Sequence, residues 1–306
     1  MTATSAGAGT TAGVQGAASG VPDDVALTCT ALADQIARHT DGTDTMRAVM
    51  RAAAAPDARL DDLRQAIQAD PALAAQVVRR ANSPYYRLSY QAADLRQAAA
   101  LLGFHELRNV ALLVFLSRIL DSQQHHGTFQ RRRLWHHSLA VAAAGHLLAR
   151  TCSCGAPADA FAAGLLHDIG YAFLDVYRHR DFGRVLATLE SGRPTVDTER
   201  EVFGFDHAEL GAVLADRWSL PITVADAIRH HHAPELYAGP SRETVYAVGM
   251  ANYLCSRMGW TALGPHNIPA PADCVYAGLQ IDALTLSVLM EELPETLERA
   301  QSLSEL

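Results

Sequence analysis

From Val25 to the end of the chain, apolar residues recur three and four positions apart, and that spacing admits little besides helices. Leu60 to Ala69, Leu73 to Ala81, Leu95 to Leu102 and Glu106 to Leu120 each carry one buried helical face. β-branched runs with strict alternation are absent, and turn chemistry falls at Asp-Gly, Gly-Arg-Pro and Ala-Gly-Pro. An all-α fold follows. Some helix starts have a mechanism. Asp70-Pro71 supplies an N-cap and a first-turn proline. Asp206-His207-Ala208-Glu209 has capping-box spacing, with Asp in place of Ser or Thr. Pro221 opens the helix that leads to His230-His231-His232.

Composition narrows the function classes. The length of 306 residues suits one large or two modest domains. A formal charge of -8 argues against bulk binding of nucleic acid or an anionic membrane. All the basic residues are Arg; the absence of Lys excludes a Schiff-base lysine and a P-loop. Cys29, Cys152, Cys154, Cys255 and Cys274 are odd in number and lack framework spacing, which predicts a reduced, cytoplasmic protein. Cys152-Ser153-Cys154 reads as a helix-terminal loop in preference to a soft-metal site. No apolar run approaches the ~18 residues of a membrane span, and the N-terminus lacks the pattern of a signal peptide.

Residues 1 to about 22 are Ala, Gly, Thr and Ser with almost nothing to bury, and read as a disordered lead-in. The loop from Asp121 to Thr128 is the best internal boundary, between a first helical layer and a second that holds the chemistry. Arg131-Arg132-Arg133 after it reads as a solvated helix face, with anion or nucleic-acid binding as the lesser alternative. The acidic amphipathic stretch Met290 to Leu306 closes the chain.

The second layer gathers imidazoles and carboxylates. Trp135-His136-His137-Ser138 sits early on a long apolar helix, and His167-Asp168 ends an apolar run thirty residues later. His207 follows Asp206 in a first helical turn, His230-His231-His232 closes another helix, and Asn252 lies within Val245 to Cys255. If His167 and Asp168 share a helix they diverge by about 100° and can still reach one cavity. Each feature has a plainer explanation on its own: a capping or salt-bridging pair, a packed ring, cations at a helix C-terminus. Together they are the donor set that a hard or borderline divalent metal requires in a helical protein. Two such ions bridged by one Asp could activate water and clamp a phosphodiester.

The order of these motifs resembles the HD superfamily, and more closely its HDOD family, the HD-related output domain of bacterial signalling proteins. Asp70-Pro71-Ala72-Leu73, Ala81-Asn82-Ser83-Pro84-Tyr85-Tyr86 and Ala98-Ala99-Ala100-Leu101-Leu102-Gly103 resemble its first half. Trp135-His136-His137-Ser138, Phe203 to Gly211, Trp218-Ser219-Leu220-Pro221 and Ala227 to Pro234 resemble its second. The resemblance implies an HDOD domain over residues 23–262, with an N-terminal helical part (23–125) packed on a degenerate HD-like part (126–262), then C-terminal helices over 263–306. It also implies a metal ligand set of His137, His167, Asp168, His207, His231 and His232, for one or two ions of iron, manganese or zinc.

Three departures bear on activity. Asn252 stands where active HD enzymes carry a closing Asp, and Tyr171 replaces a Lys expected to contact phosphate. The Gly-Tyr-Pro loop and the Glu after the paired His are missing. The expected function is therefore a non-catalytic output or scaffold module in bacterial signalling, with a protein partner or a nucleotide sensed without turnover. The alternative is a metal-dependent phosphohydrolase acting on a nucleotide or cyclic dinucleotide, with Asp168 as the candidate catalytic residue. Nucleic acid and membrane are not expected partners.

Overall fold

Apolar periodicity becomes packed helix almost throughout the computed structural model, which describes residues 28–304 except 41–42, 56, 121–124, 127–128, 190–192 and 265–268. The expected disordered lead-in (1–22) lies outside the described residues, as does most of the boundary loop 121–128. The N-terminal helices are α1 (Cys29–His39), which packs on the later helix His207–Arg217, and α2 (Thr43–Ala54), α3 (Leu60–Gln68), α4 (Pro71–Ala81) and α5 (Leu95–Leu120), which pack on one another as a first layer. A two-residue antiparallel pair, β1 (His125–His126) with β2 (Phe129–Gln130), leads into the second layer and is the only sheet among the described residues. There follow α6 (Arg131–Thr151), α7 (Pro157–Leu166), α8 (Ile169–Tyr177), α9 (His179–Leu186), α10 (Thr195–Phe203), α11 (His207–Arg217), α12 (Ile222–His230) and α13 (Arg242–Arg257). The chain closes with α14 (Asp273–Gly278) and α15 (Ala283–Gln301).

The caps form where the sequence places them. Asp70 accepts the backbone N–H groups of Ala72 and Leu73 ahead of Pro71, and Asp206 accepts that of Glu209. α6 lies at the centre, packed on α7, α13 and α15, while α5 joins α3 and α4 to α7. One apolar cluster runs through both layers, from Leu32 and Met50 through Val110 and Phe161 to Trp218 and Leu297. The acidic closing stretch is accounted for by α15, which buries Leu289, Leu293, Leu297 and Ala300 against this core.

Two expectations need correction. α5 has 26 residues and contains an 18-residue stretch of mean hydropathy 1.5, long and apolar enough by length and composition to cross a membrane. Its apolarity has another outlet: the helix breaks at Gly103, and every residue from Leu107 to Leu116 is buried in the protein. The Arg131-Arg132-Arg133 triplet is not one solvated face. Arg131 is buried, pairing with Asp175 of α8 at 2.6 Å, because it falls on the same side of α6 as Leu134 and Trp135.

Buried polar links set the helices around the second layer. Arg108 of α5 reaches Asp159 of α7 at 2.8 Å, and Thr223 of α12 donates to the same carboxylate at 2.7 Å. These bonds tie α5, α7 and α12 together, and Arg131–Asp175 ties α6 to α8. Removing one partner of a buried pair strands the other charge, which makes such links strict. α6 and α7 meet closely because Gly164 has no side chain: a Cβ there would stand 2.7 Å from the Val141 carbonyl oxygen. Gly164→Ala is therefore expected to lower stability by about 1–3 kcal/mol through overpacking. Urea unfolding measures this, and an unchanged midpoint would mean that the helices separate without cost.

Candidate metal centre

Each imidazole reaches the centre from a position that fixes its direction. His167 and Asp168 do not share a helix; they form the corner between α7 and α8, with Asp168 at φ -103 and ψ 12. The corner is pressed between two neighbours by its flanking glycines. Gly164 abuts α6, which carries His137, and a Cβ on Gly170 would collide with the His207 backbone. His137 sits in the second turn of α6, His207 is the first residue of α11, and His231 and His232 follow α12.

The ring nitrogens divide their work. His167 Nδ1 donates to the Gly164 carbonyl and His231 Nδ1 to the Ile228 carbonyl, each three residues back at a helix C-terminus, at 2.8 and 2.7 Å. His137 Nδ1 donates to the Trp260 carbonyl at 2.8 Å, and His207 Nδ1 to Glu199 Oε2 at 2.7 Å. These acceptors require Nδ1–H, so the Nε2 atoms face inward as ligands would. The capping explanation and the ligand explanation thus hold for the same rings through different nitrogens.

All five Nε2 atoms gather about Asp168. His137 and His167 lie 3.4 and 3.2 Å from its Oδ2, and 3.1 Å from each other. On the other side, His207 and His231 lie 3.3 and 3.6 Å from Oδ1, with His232 Nε2 2.9 Å from His207 Nε2. The structure therefore brings together every residue of the predicted set, as two groups that share one carboxylate. His137, His167, His207, His231 and Asp168 are buried, whereas His232 is exposed at the rim. His136 and His230 stay outside: His136 contacts Arg132, and His230 packs near Tyr237.

The donor chemistry fits a cation. Ligand atoms held about 2.0–2.1 Å from one ion lie roughly 2.9–3.4 Å apart, close to the spacing in both groups. With both Nδ1–H groups committed, the Nε2 atoms of His137 and His167 face each other and a carboxylate, an arrangement that a proton or a metal ion between them satisfies. His231 Nε2 is buried without a hydrogen-bond partner. So is Oδ1 of Asn252, one turn along α13 from Gly249, whose Cα side abuts the His231 carbonyl.

Electrostatics agree. Burial would raise the Asp168 carboxyl, but His167, His137 and His207 outweigh it and hold it well below the usual carboxylate range. Burial pushes His167 down to about 4. It works the same way on His207, yet Glu199 and Asp168 prevail and raise that ring to about 10. Tyr171 stacks on His207 at 3.9 Å between centroids; burial, with Glu199 and Asp168 nearby, keeps its phenol well above its ordinary pKa and so neutral.

Sequence reasoning missed two supporting groups. Glu199 of α10 is fully buried and accepts both the backbone N–H and Nδ1–H of His207. The Trp260 carbonyl is aimed at His137 by a Schellman turn ending α13, in which Trp260 N–H bonds the Cys255 carbonyl and Gly259 adopts φ +87.

The HDOD domain model matches residues 40–234. An HDOD domain protein of unknown function from Geobacter sulfurreducens superposes with a TM-score of 0.70 at 26% identity, covering 90% of this chain and 97% of its own. A candidate signal transduction protein from Marinobacter aquaeolei VT8 gives a TM-score of 0.69 at 26% identity, over 86% of this chain and 57% of that one. An uncharacterised protein of Treponema pallidum is 30% identical over 195 residues, which span 62% of this chain but only 37% of that relative.

A proton on His207 competes with a metal for the same Nε2. Because its pKa is raised to about 10, metal entry at neutral pH must displace that proton. Apparent affinity should then rise with pH roughly tenfold per unit per proton displaced, up to the raised pKa. A zinc titration in weak buffer with a pH indicator should show proton release at pH 7.5, reduced in Glu199→Gln. Release that is absent, or the same in both proteins, would contradict this charge assignment.

Proposed function

The chain belongs to the HDOD domain family, and we propose that it acts as a metal-holding output module in bacterial signal transduction. A single observation carries this reading: five imidazole Nε2 atoms converge on the two oxygens of one buried carboxylate, four of them locked by Nδ1 acceptors. In this reading His137, His167 and Oδ2 of Asp168 hold one divalent ion. His207, His231, His232 and Oδ1 hold the second, and the imidazole-rich donor set suits iron, manganese or zinc. The ions pin α6, the α7–α8 corner, α11 and α12 into one surface that a signalling partner can recognise. The Marinobacter neighbour's description as a candidate signal transduction protein supports this role. A reducing, cytoplasmic setting accords with five free cysteines.

The residues that depart from an active HD site favour binding over turnover. Asn252 offers a neutral amide oxygen where a charged ligand would complete the set. Tyr171 offers a neutral phenol, stacked on His207, where a cation would meet phosphate.

A second reading, a metal-dependent phosphohydrolase, draws support from the two ligand groups that share Asp168. When bound, a carboxylate-bridged metal pair supplies acidified water and a clamp for phosphate oxygens. In that case Asp168 would be the bridging residue, Glu199 would hold His207 in its ligand orientation, and the partly exposed His232 side would admit substrate.

Elemental mass spectrometry of protein purified without chelator or nickel resin tests the proposal. About two equivalents of metal are expected, with at least tenfold less in a folded Asp168→Asn variant. Folded wild-type protein that stays metal-free after iron, manganese and zinc are offered would overturn it.

A further inference from the structure

Three arginines open α6, at the end of a helix where the dipole disfavours cations, and no acidic residue shares that turn. Arg131 is compensated by Asp175. Arg132 and Arg133 are exposed, and among the described residues neither forms an ion pair; Arg132 Nε meets His136 Nε2 at 3.5 Å. A cleft of about 420 Å³ lies over this end of the helix. Arg132, Arg133, Gln130, Trp260, Thr261 and His137 line it, and among the described residues no acidic side chain does. In a chain of formal charge -8, this is a concave site of opposite sign.

The geometry points to a binding site for a phosphate-bearing ligand of mononucleotide size, its phosphate paired with Arg132 and Arg133. Guanidinium groups match phosphate with two parallel hydrogen bonds, and a bound anion relieves the unfavourable charge at the helix start. The volume falls within the range of small-molecule sites, so a phosphate and one ring system fit. Trp260, half-buried, offers an aromatic surface in the same cleft. The inference rests on the proposed metal centre in one respect: His137 belongs to both, and the Trp260 carbonyl that orients it comes from a residue of the cleft wall. Ligand binding would then be felt at the centre through Trp260, which gives the module an input.

Isothermal titration calorimetry with AMP, GMP, inorganic phosphate and adenosine tests this, on metal-loaded and chelator-stripped wild type and on an Arg132→Ser/Arg133→Ser variant. AMP or GMP should bind at least tenfold more tightly than adenosine, and the double variant should lose at least tenfold in affinity with unchanged metal content. No binding of AMP or GMP by the metal-loaded protein, equal binding by the variant, or nucleotide binding no tighter than that of inorganic phosphate would overturn the site. Metal analysis of the same samples separates the two questions. Metal-free wild type would sink the metal reading, whereas the cleft stands or falls on the variant.

Discussion

A carboxylate buried among imidazoles is the constraint on which this structure turns. Asp168 is 4% exposed, and an isolated carboxylate at that depth carries a desolvation penalty of several kcal/mol. Imidazoles approach both of its oxygens, yet four of the five rings have already given their Nδ1–H to acceptors elsewhere. The positive charge that His207 can supply is shared with a second buried carboxylate, Glu199. Two anions facing one imidazolium leave the pocket short of positive charge. A divalent ion on either side of Asp168 would correct that shortage and would use the lone pairs that otherwise oppose one another.

The rest of the fold keeps these groups from relaxing away. His167 and His231 close the last turns of α7 and α12 through Nδ1, so withdrawing either ring would also expose a helix-end carbonyl. Gly164 and Gly170 let the α7–α8 corner sit tightly between α6 and α11, which fixes how far His137 and His207 stand from Asp168. Buried ion pairs at Arg131–Asp175 and Arg108–Asp159 hold the same helices from behind. The result is a preorganised set of donors on rigid elements, in which the ring directions are settled before any ion arrives.

Much of this was legible in the sequence because it depends on local patterns. Three- and four-residue apolar spacing yields the helices, and Asp70 and Asp206 cap where their side chains predict. The ligand residues were legible by type, and the family resemblance supplied their order. What sequence did not reveal depends on facing and on backbone. Glu199 lies in Thr195–Phe203 beside Asp197 and Glu201, and only the packing of α10 turns Glu199 inward while Glu201 pairs with Arg193 at the surface. The Trp260 carbonyl is a main-chain group that every residue possesses, so nothing in its side chain announces the contact. The arginine triplet was decipherable but misleading: a run of like charge suggests one face, whereas helical geometry sends Arg131 to the core side and its two neighbours to the cleft.

The shared carboxylate can be probed by anomalous X-ray diffraction from crystals grown with manganese or zinc. Two peaks about 3.5–4 Å apart are expected, one bounded by His137, His167 and Asp168 Oδ2 and the other by His207, His231, His232 and Oδ1. A single peak on one side of Asp168, or none, with the imidazoles bonded directly to the carboxylate, would contradict a carboxylate shared by two ions.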